Sequence, residues 1–234
     1  NDSNPGRVRT SFGGVARNIA ENMARVGVNT KFISILGDDE TGKRIIEHSR
    51  VMKYDMEDSL IVEGHGTPTY MAILNEKGEL ESAVVDMKIA DMFTKEFIDS
   101  KADIIRNSEY MFLDSDMPEI LEYILKNFEG QTKFIFDPVS ACKAKNIKHL
   151  IKHFHTIKPN RYEAEILCGF EINSQEDLRR AGKHFIDLGI KNVFISLDED
   201  GIYYNNGNEE GKIKANNVPV VNVTGAGDSF VSGI

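Results

Sequence analysis

The sequence predicts an α/β fold, a mainly parallel sheet covered by helices on both faces, with a small β-sheet standing off it. Three observations predict it. Short apolar runs alternate with segments whose apolar residues recur at helical spacing. One hairpin pattern interrupts that alternation, and glycine-rich turns stand where strands hand over to helices.

In chain order, residues 7–12 read as a strand leading into Gly13-Gly14, and residues 15–26 as an amphipathic helix. Residues 31–36 form a short apolar run, and residues 40–51 have a helical pattern. Thr69–Leu74, the turn Asn75-Glu76-Lys77-Gly78 and residues 80–85 make the hairpin. With residues 7–12 and Leu60–Val62 it is expected to form an antiparallel lid drawn from residues 6–12 and 60–86. Further on, residues 109–113, Lys133–Phe136 and residues 192–197 read as buried strands, and residues 118–128 as a helix. Residues 175–188 form a helix opened by the capping residues Asn173 and Ser174. A single domain is expected over residues 1–234. Because residue 1 is Asn and the chain stops at Ile234 inside a helix, it reads as a fragment lacking an N-terminal strand and a C-terminal segment.

Composition narrows the class. The chain has 234 residues, 41% hydrophobic and 28% charged, as ordinary globules do. A formal net charge of −9 argues against a nucleic-acid partner, which calls for a basic stripe. No apolar run reaches membrane-spanning length, so no membrane partner is expected. Cys142 and Cys168 form no CxxC pair, which fits a reducing cytoplasm.

The chemistry concentrates in a few clusters. Near the C-terminus, Asn222-Val223-Thr224-Gly225-Ala226-Gly227-Asp228 runs from a strand through two glycines to a carboxylate in a first helical turn. Small residues let backbone close around an anion, and unpaired N–H groups of a helix start point at it. Asp228 would then take the proton from an attacking hydroxyl. At the other end, Gly13 and Gly14 let a ligand lie against the main chain, while Asn18 can both donate to and accept from a hydroxyl pair. Between them, Asn160 and Glu163 match a capping box, or alternatively sit near magnesium and phosphates through bound waters. Two clusters, Phe134-Ile135-Phe136-Asp137-Pro138 and Ser196-Leu197-Asp198-Glu199-Asp200-Gly201, place polar residues just after buried strands. By contrast, Gly37-Asp38-Asp39-Glu40-Thr41-Gly42-Lys43-Arg44 nearly spells a P-loop, but its three carboxylates would repel phosphate. Arg44 also replaces the magnesium-binding hydroxyl. His149, His153 and His155 lack a Cys or carboxylate placed to complete a zinc site.

Taken together, Gly13-Gly14, Asn18, Ala20, Gly27 and Gly37 resemble the first signature of the ribokinase-like (PfkB) carbohydrate kinases, and residues 222–233 their second. The Asn160/Glu163 pair matches their N-x-x-E motif. The resemblance implies a three-layer α/β/α core with a β lid and an ATP-dependent phosphotransferase acting on an alcohol group. It implies Asp228 as catalytic base and the N–H groups of Gly225, Ala226 and Gly227 as anion hole. Gly13, Gly14 and Asn18 would hold the substrate, Asn160, Glu163, Ser196 and Gly201 the nucleotide, and Glu163 the Mg2+ through water. Asp198 stands where many members have glycine, and Asn222 where Asp is commoner. A monovalent cation such as K+ at that loop, and a homodimer through the lid, follow only from the resemblance. Within the family the wording Gly13-Gly14-Val15-Ala16-Arg17-Asn18 and Asp137-Pro138-Val139-Ser140 is closest to the pseudouridine kinases, implying transfer of the ATP γ-phosphoryl to pseudouridine. The alternatives are another small sugar or nucleoside, or a non-catalytic ligand-sensing module on the same fold.

Overall fold

The computed structural model describes residues 6–76, 80–216, 218–219 and 225–234. The first half runs α1 (Val15–Arg25), β1 (Ile35–Gly37), α2 (Glu40–Met52), β2 (Leu60–Val62), β3 (Thr69–Leu74), β4 (Leu80–Asp86), α3 (Lys95–Ser100) and α4 (Ala102–Asn107). There follow β5 (Tyr110–Leu113), α5 (Pro118–Asn127), β6 (Lys133–Phe136), α6 (Ala141–Ile147), β7 (Thr156–Ile157), α7 (Arg161–Cys168) and α8 (Gln175–Asp187). The chain then continues through β8 (Asn192–Ser196), β9 (Ile202–Asn205), β10 (Glu210–Ile213) and α9 (Ala226–Val231).

Six strands form the central sheet in the order β10-β9-β8-β7-β6-β5. The four strands β5 to β8 run parallel, and β9 and β10 add an antiparallel edge. Helix starts follow local chemistry. Thr94, Ser140 and Ser174 each accept from the backbone N–H three residues on, and Pro118 opens α5.

Strand alternation explains why helices cover both faces. In β6, Phe134 and Phe136 join the large core with Leu125, Ile147, Leu167 and Phe185 from α5 to α8. Ile135, between them, turns to the opposite face and packs against Ile19 of α1 and Val231 of α9. The Phe194 ring of β8 meets Phe230 of α9 there, with centroids 5.7 Å apart. Each such buried side chain contributes about 1.5–3 kcal/mol. That second face therefore docks two helices from opposite ends of the chain.

The small sheet differs from the expectation. β3 and β4 pair antiparallel, with Thr69 opposite Asp86, as a sheet of their own. Leu60–Val62 instead pairs parallel with β1, Ile35 opposite Leu60, because Ile35 and Val62 are buried together in the main core. Residues 7–12 form no strand. Val8 is 95% exposed, and the flanking Arg7, Arg9 and Thr10 offer no apolar face to bury. The antiparallel sheet is thus confined to residues 69–86.

The near-P-loop is a helix cap. Asp39 Oδ1 accepts from the Gly42 N–H at 2.8 Å and from the Thr67 hydroxyl at 2.6 Å, while Oδ2 accepts the Thr67 N–H at 2.9 Å. These bonds, the Thr67 hydroxyl first, hold the Asp39 carboxyl below its ordinary range. A side chain at Gly37 would collide with the His65 carbonyl, so glycine is needed there for close packing.

Among the described residues no helix is long and apolar enough to cross a membrane. Cys142 and Cys168 are both free.

Candidate active site

Three adjacent parallel strands end in charge. Leu113 of β5 is followed by Asp114, Phe136 of β6 by Asp137, and Ile157 of β7 by Lys158. They gather at the carboxyl edge of the sheet, where open α/β folds bind ligands. Lys158 Nζ lies 2.9 Å from Asp137 Oδ2, and each residue is 5% exposed. Each charge offsets the hydration that the other loses on burial. Burial, then the charge of Asp116, pushes the half-buried Asp114 up to about 6.

Helices α1 and α9 bring the two distant glycine motifs together. Asn18 Nδ2 donates to Asp228 Oδ2 at 2.7 Å, across 210 positions of sequence. One turn further along, Asn22 Nδ2 donates to Ser229 Oγ at 3.2 Å. Gly225 adopts φ 80° to turn the chain into α9, a conformation that suits glycine. The first amide to bond inside that helix is Ser229, donating to the Gly225 carbonyl at 2.9 Å. Gly227 packs so closely on Lys158 that a Cβ there would stand 3.1 Å from Nζ. The ammonium therefore lies beside the turn that carries Asp228. Residues 220–224 lie outside the described residues, and with them Asn222 and the loop expected to border a monovalent cation.

Asn160 and Glu163 form the complete capping box. Asn160 Oδ1 accepts the Glu163 N–H, and Glu163 Oε2 accepts the Asn160 N–H, both at 2.8 Å. Burial raises the Glu163 carboxyl above its ordinary value despite that bond, with Asp137 adding to the rise. Ser196 bridges to Asn160 at the strand ends, its N–H donating to the Pro159 carbonyl at 3.0 Å. Gly201 lies beside Ser196 at the turn into β9, its carbonyl accepting the Leu197 N–H at 2.8 Å. Its φ is 91° and a Cβ would run into the Ile213 carbonyl, so packing of β10 explains the glycine.

The structure thus joins Asn18, Asp228, Gly227, Lys158 and Asp137 in one chain of contacts, and Glu163, Asn160 and Ser196 in another. Lys158, two residues before Asn160, connects them. Sequence reading singled out neither Lys158 nor Asp114. The usable signal was a charged residue directly after each apolar run, which only the strand order makes meaningful. Among the described residues no group of three His, Cys, Asp or Glu could hold a metal ion. The buried carboxylates there, Asp137 and Glu163, are fewer than a full protein cage needs, which suits Mg2+, an ion that keeps most of its waters.

A family model described as pfkB family carbohydrate kinase matches residues 1–234. The chain belongs to the pfkB family. It is 34% identical over 235 residues to the pseudouridine kinase of Escherichia coli strain K12, covering 100% of this chain and 75% of that one. The crystal structure of a candidate sugar kinase from Clostridium perfringens is 64% identical, with a TM-score of 0.94 over 99% of this chain and 74% of the other. A candidate ribokinase II from E. coli, solved with ATP and Mg2+, shares the fold at a TM-score of 0.82 and 17% identity, over 98% of this chain and 76% of that one. Like its pfkB relatives, this chain is a phosphotransferase acting on a sugar hydroxyl.

Proposed function

We propose that this pfkB kinase transfers the γ-phosphoryl group of ATP to the 5′-hydroxyl of pseudouridine. The observation that carries the reading is the 2.7 Å bond between Asn18 and Asp228, which supports a role for Asn18 on the acceptor's hydroxyls and for Asp228 as the base. A free alcohol is too weak an acid for a carboxylate to ionise beforehand. Asp228 therefore accepts the hydroxyl proton as the new O–P bond forms and the bond to the departing ADP breaks. Gly13, Gly14 and Asn18 hold the sugar hydroxyls. The amides of Gly225, Ala226 and Gly227 and the ammonium of Lys158 balance charge on the transferring group. Mg2+, when bound with the nucleotide, neutralises phosphate charge, and Glu163 with Asn160 holds it through water. Ser196 and Gly201 border the nucleotide, and K+ at the loop before Gly225 belongs to the same reading.

The acceptor rests on the 34% identity to an enzyme named pseudouridine kinase and on the shared wording of the first motif. The hairpin is read as a lid over that acceptor. Its exposed Tyr70, Met71, Ile73, Val84 and Val85 support pairing with a second copy, which light scattering in solution tests directly. Two free thiols support a reducing, cytoplasmic setting. The test is an ADP-release assay on the full-length protein with pseudouridine, uridine and ribose. Preference for pseudouridine supports the reading, preference for another acceptor moves the specificity, and ADP release with none of them overturns it.

A further inference from the structure

We infer that Arg17 is a positioning residue, which fixes the amide of Asn18 and the peptide planes of Gly13 and Gly14 for the acceptor; this rests on the transfer reading above. Arg17 is 8% exposed in the first turn of α1, where a cation opposes the helix dipole. Its placement there needs another reason, and its partners supply one. Nε donates to the Gly13 carbonyl at 2.9 Å, Nη2 donates to the Phe12 carbonyl at 3.0 Å and to Asn18 Oδ1, and Nη1 pairs with Glu21 at 2.6 Å.

Two consequences follow from elementary geometry. A side-chain amide has an acceptor end and a donor end. With Oδ1 of Asn18 taken by the guanidinium, its NH2 is left facing Asp228 and donates to Oδ2. Without Arg17, a flipped amide would set oxygen against oxygen. The second consequence concerns the loop. Its peptide bonds are trans, so each C=O points opposite to the N–H that follows it. Turning the Phe12 and Gly13 carbonyls toward Arg17 therefore turns the Gly13 and Gly14 N–H groups away from it. Among the described residues neither N–H has a bonded acceptor. Gly14 holds this shape at φ 96°. The result is a pair of backbone donors beside Asn18, suited to adjacent sugar hydroxyls.

Glu21 holds the guanidinium in turn. Burial pushes its carboxyl up, but the contacts with His48, Arg17 and Arg25 outweigh this and bring it down to about 2. The planar fork of arginine serves four acceptors at once, which the point charge of lysine cannot do.

The test compares Arg17→Lys and Arg17→Gln in the full-length protein, with Asn18→Ala and the Arg17→Gln/Asn18→Ala double variant. Loss of a charge-assisted contact predicts about a 10- to 100-fold rise in acceptor KM or fall in kcat. KM for ATP should change much less, with circular dichroism unchanged. Because Arg17 acts in part through Asn18, the double variant should lose clearly less than the sum of the two single losses. Unchanged acceptor kinetics in both Arg17 variants, or fully additive losses in the double variant, overturn the proposal. A second readout needs no turnover. The Asn18 side-chain NH2 and the Gly13 and Gly14 amides should move in 15N NMR spectra of Arg17→Lys, and unmoved signals overturn the positioning role. Should the wild type phosphorylate no acceptor, the transfer reading fails alone, and the spectra still decide whether Arg17 orients Asn18.

Discussion

Lys158 Nζ stands 3.1 Å from the point where a Cβ on Gly227 would lie, so the buried Lys158–Asp137 pair is packed against the turn that carries Asp228. Removing one partner leaves the other as an unpaired buried charge. Lys158→Met is expected to cost about 3–5 kcal/mol of stability, and adding Asp137→Leu should recover much of it. Urea unfolding of the single and double variants measures both. A loss in the single variant no larger than that of a surface substitution would show the pair to be unimportant to folding.

Asp228→Asn keeps the shape of the site and removes its base. Turnover should fall by about 10²- to 10⁴-fold while acceptor binding, followed by calorimetry, is largely kept. Near-normal ADP release would remove Asp228 from the mechanism.

Asn18→Ala deletes the bond to Asp228 and the proposed hydroxyl contacts. Acceptor KM should rise by up to about tenfold, the worth of one good neutral hydrogen bond. Steady-state assays at saturating ATP check this, and an unchanged KM would argue against a substrate role.

These sites show where the sequence could be read and where it could not. Hydrophobic period located α1, α2, α5 and α8 within a residue or two at either end. It also marked Lys133–Phe136 and Thr69–Leu74 with the bounds that the structure has. It could not assign partners: Leu60–Val62 looks equally suited to a hairpin sheet or to the core, and only the shared burial of Val62 with Ile35 decides. The short helices α3, α4 and α6 span six or seven residues, too few for a helical period to stand out. Asp228 and Asn18 were legible because glycines flank both motifs. Lys158 and Asp114 were not, since a single charge after an apolar run gains meaning only when neighbouring strands are known.

Asp114 makes stability depend on pH. Its carboxyl is raised from 3.8 to about 6 in the folded protein, by burial and then by Asp116. Between those values the folded state keeps a proton that the unfolded chain has released. The contribution of this group is therefore most favourable below 3.8 and is lost as pH rises to about 6. Asp114→Asn retains an oxygen for the Asp116 N–H, which in the native protein donates to Asp114 Oδ1 at 3.0 Å. The stability of the variant relative to wild type should increase from about pH 4 to about pH 6 in denaturant titrations, at a slope of about 1.4 kcal/mol per pH unit at most. A difference independent of pH would contradict the assignment.

The bonds between Asp39 and Thr67 root the antiparallel hairpin two residues before it begins, while β3 remains exposed along its length. Grafting this hairpin onto a related kinase should therefore succeed only when Gly37, Asp39 and Thr67 travel with it. Exchange of the strands alone would leave them without a fixed bearing on α2.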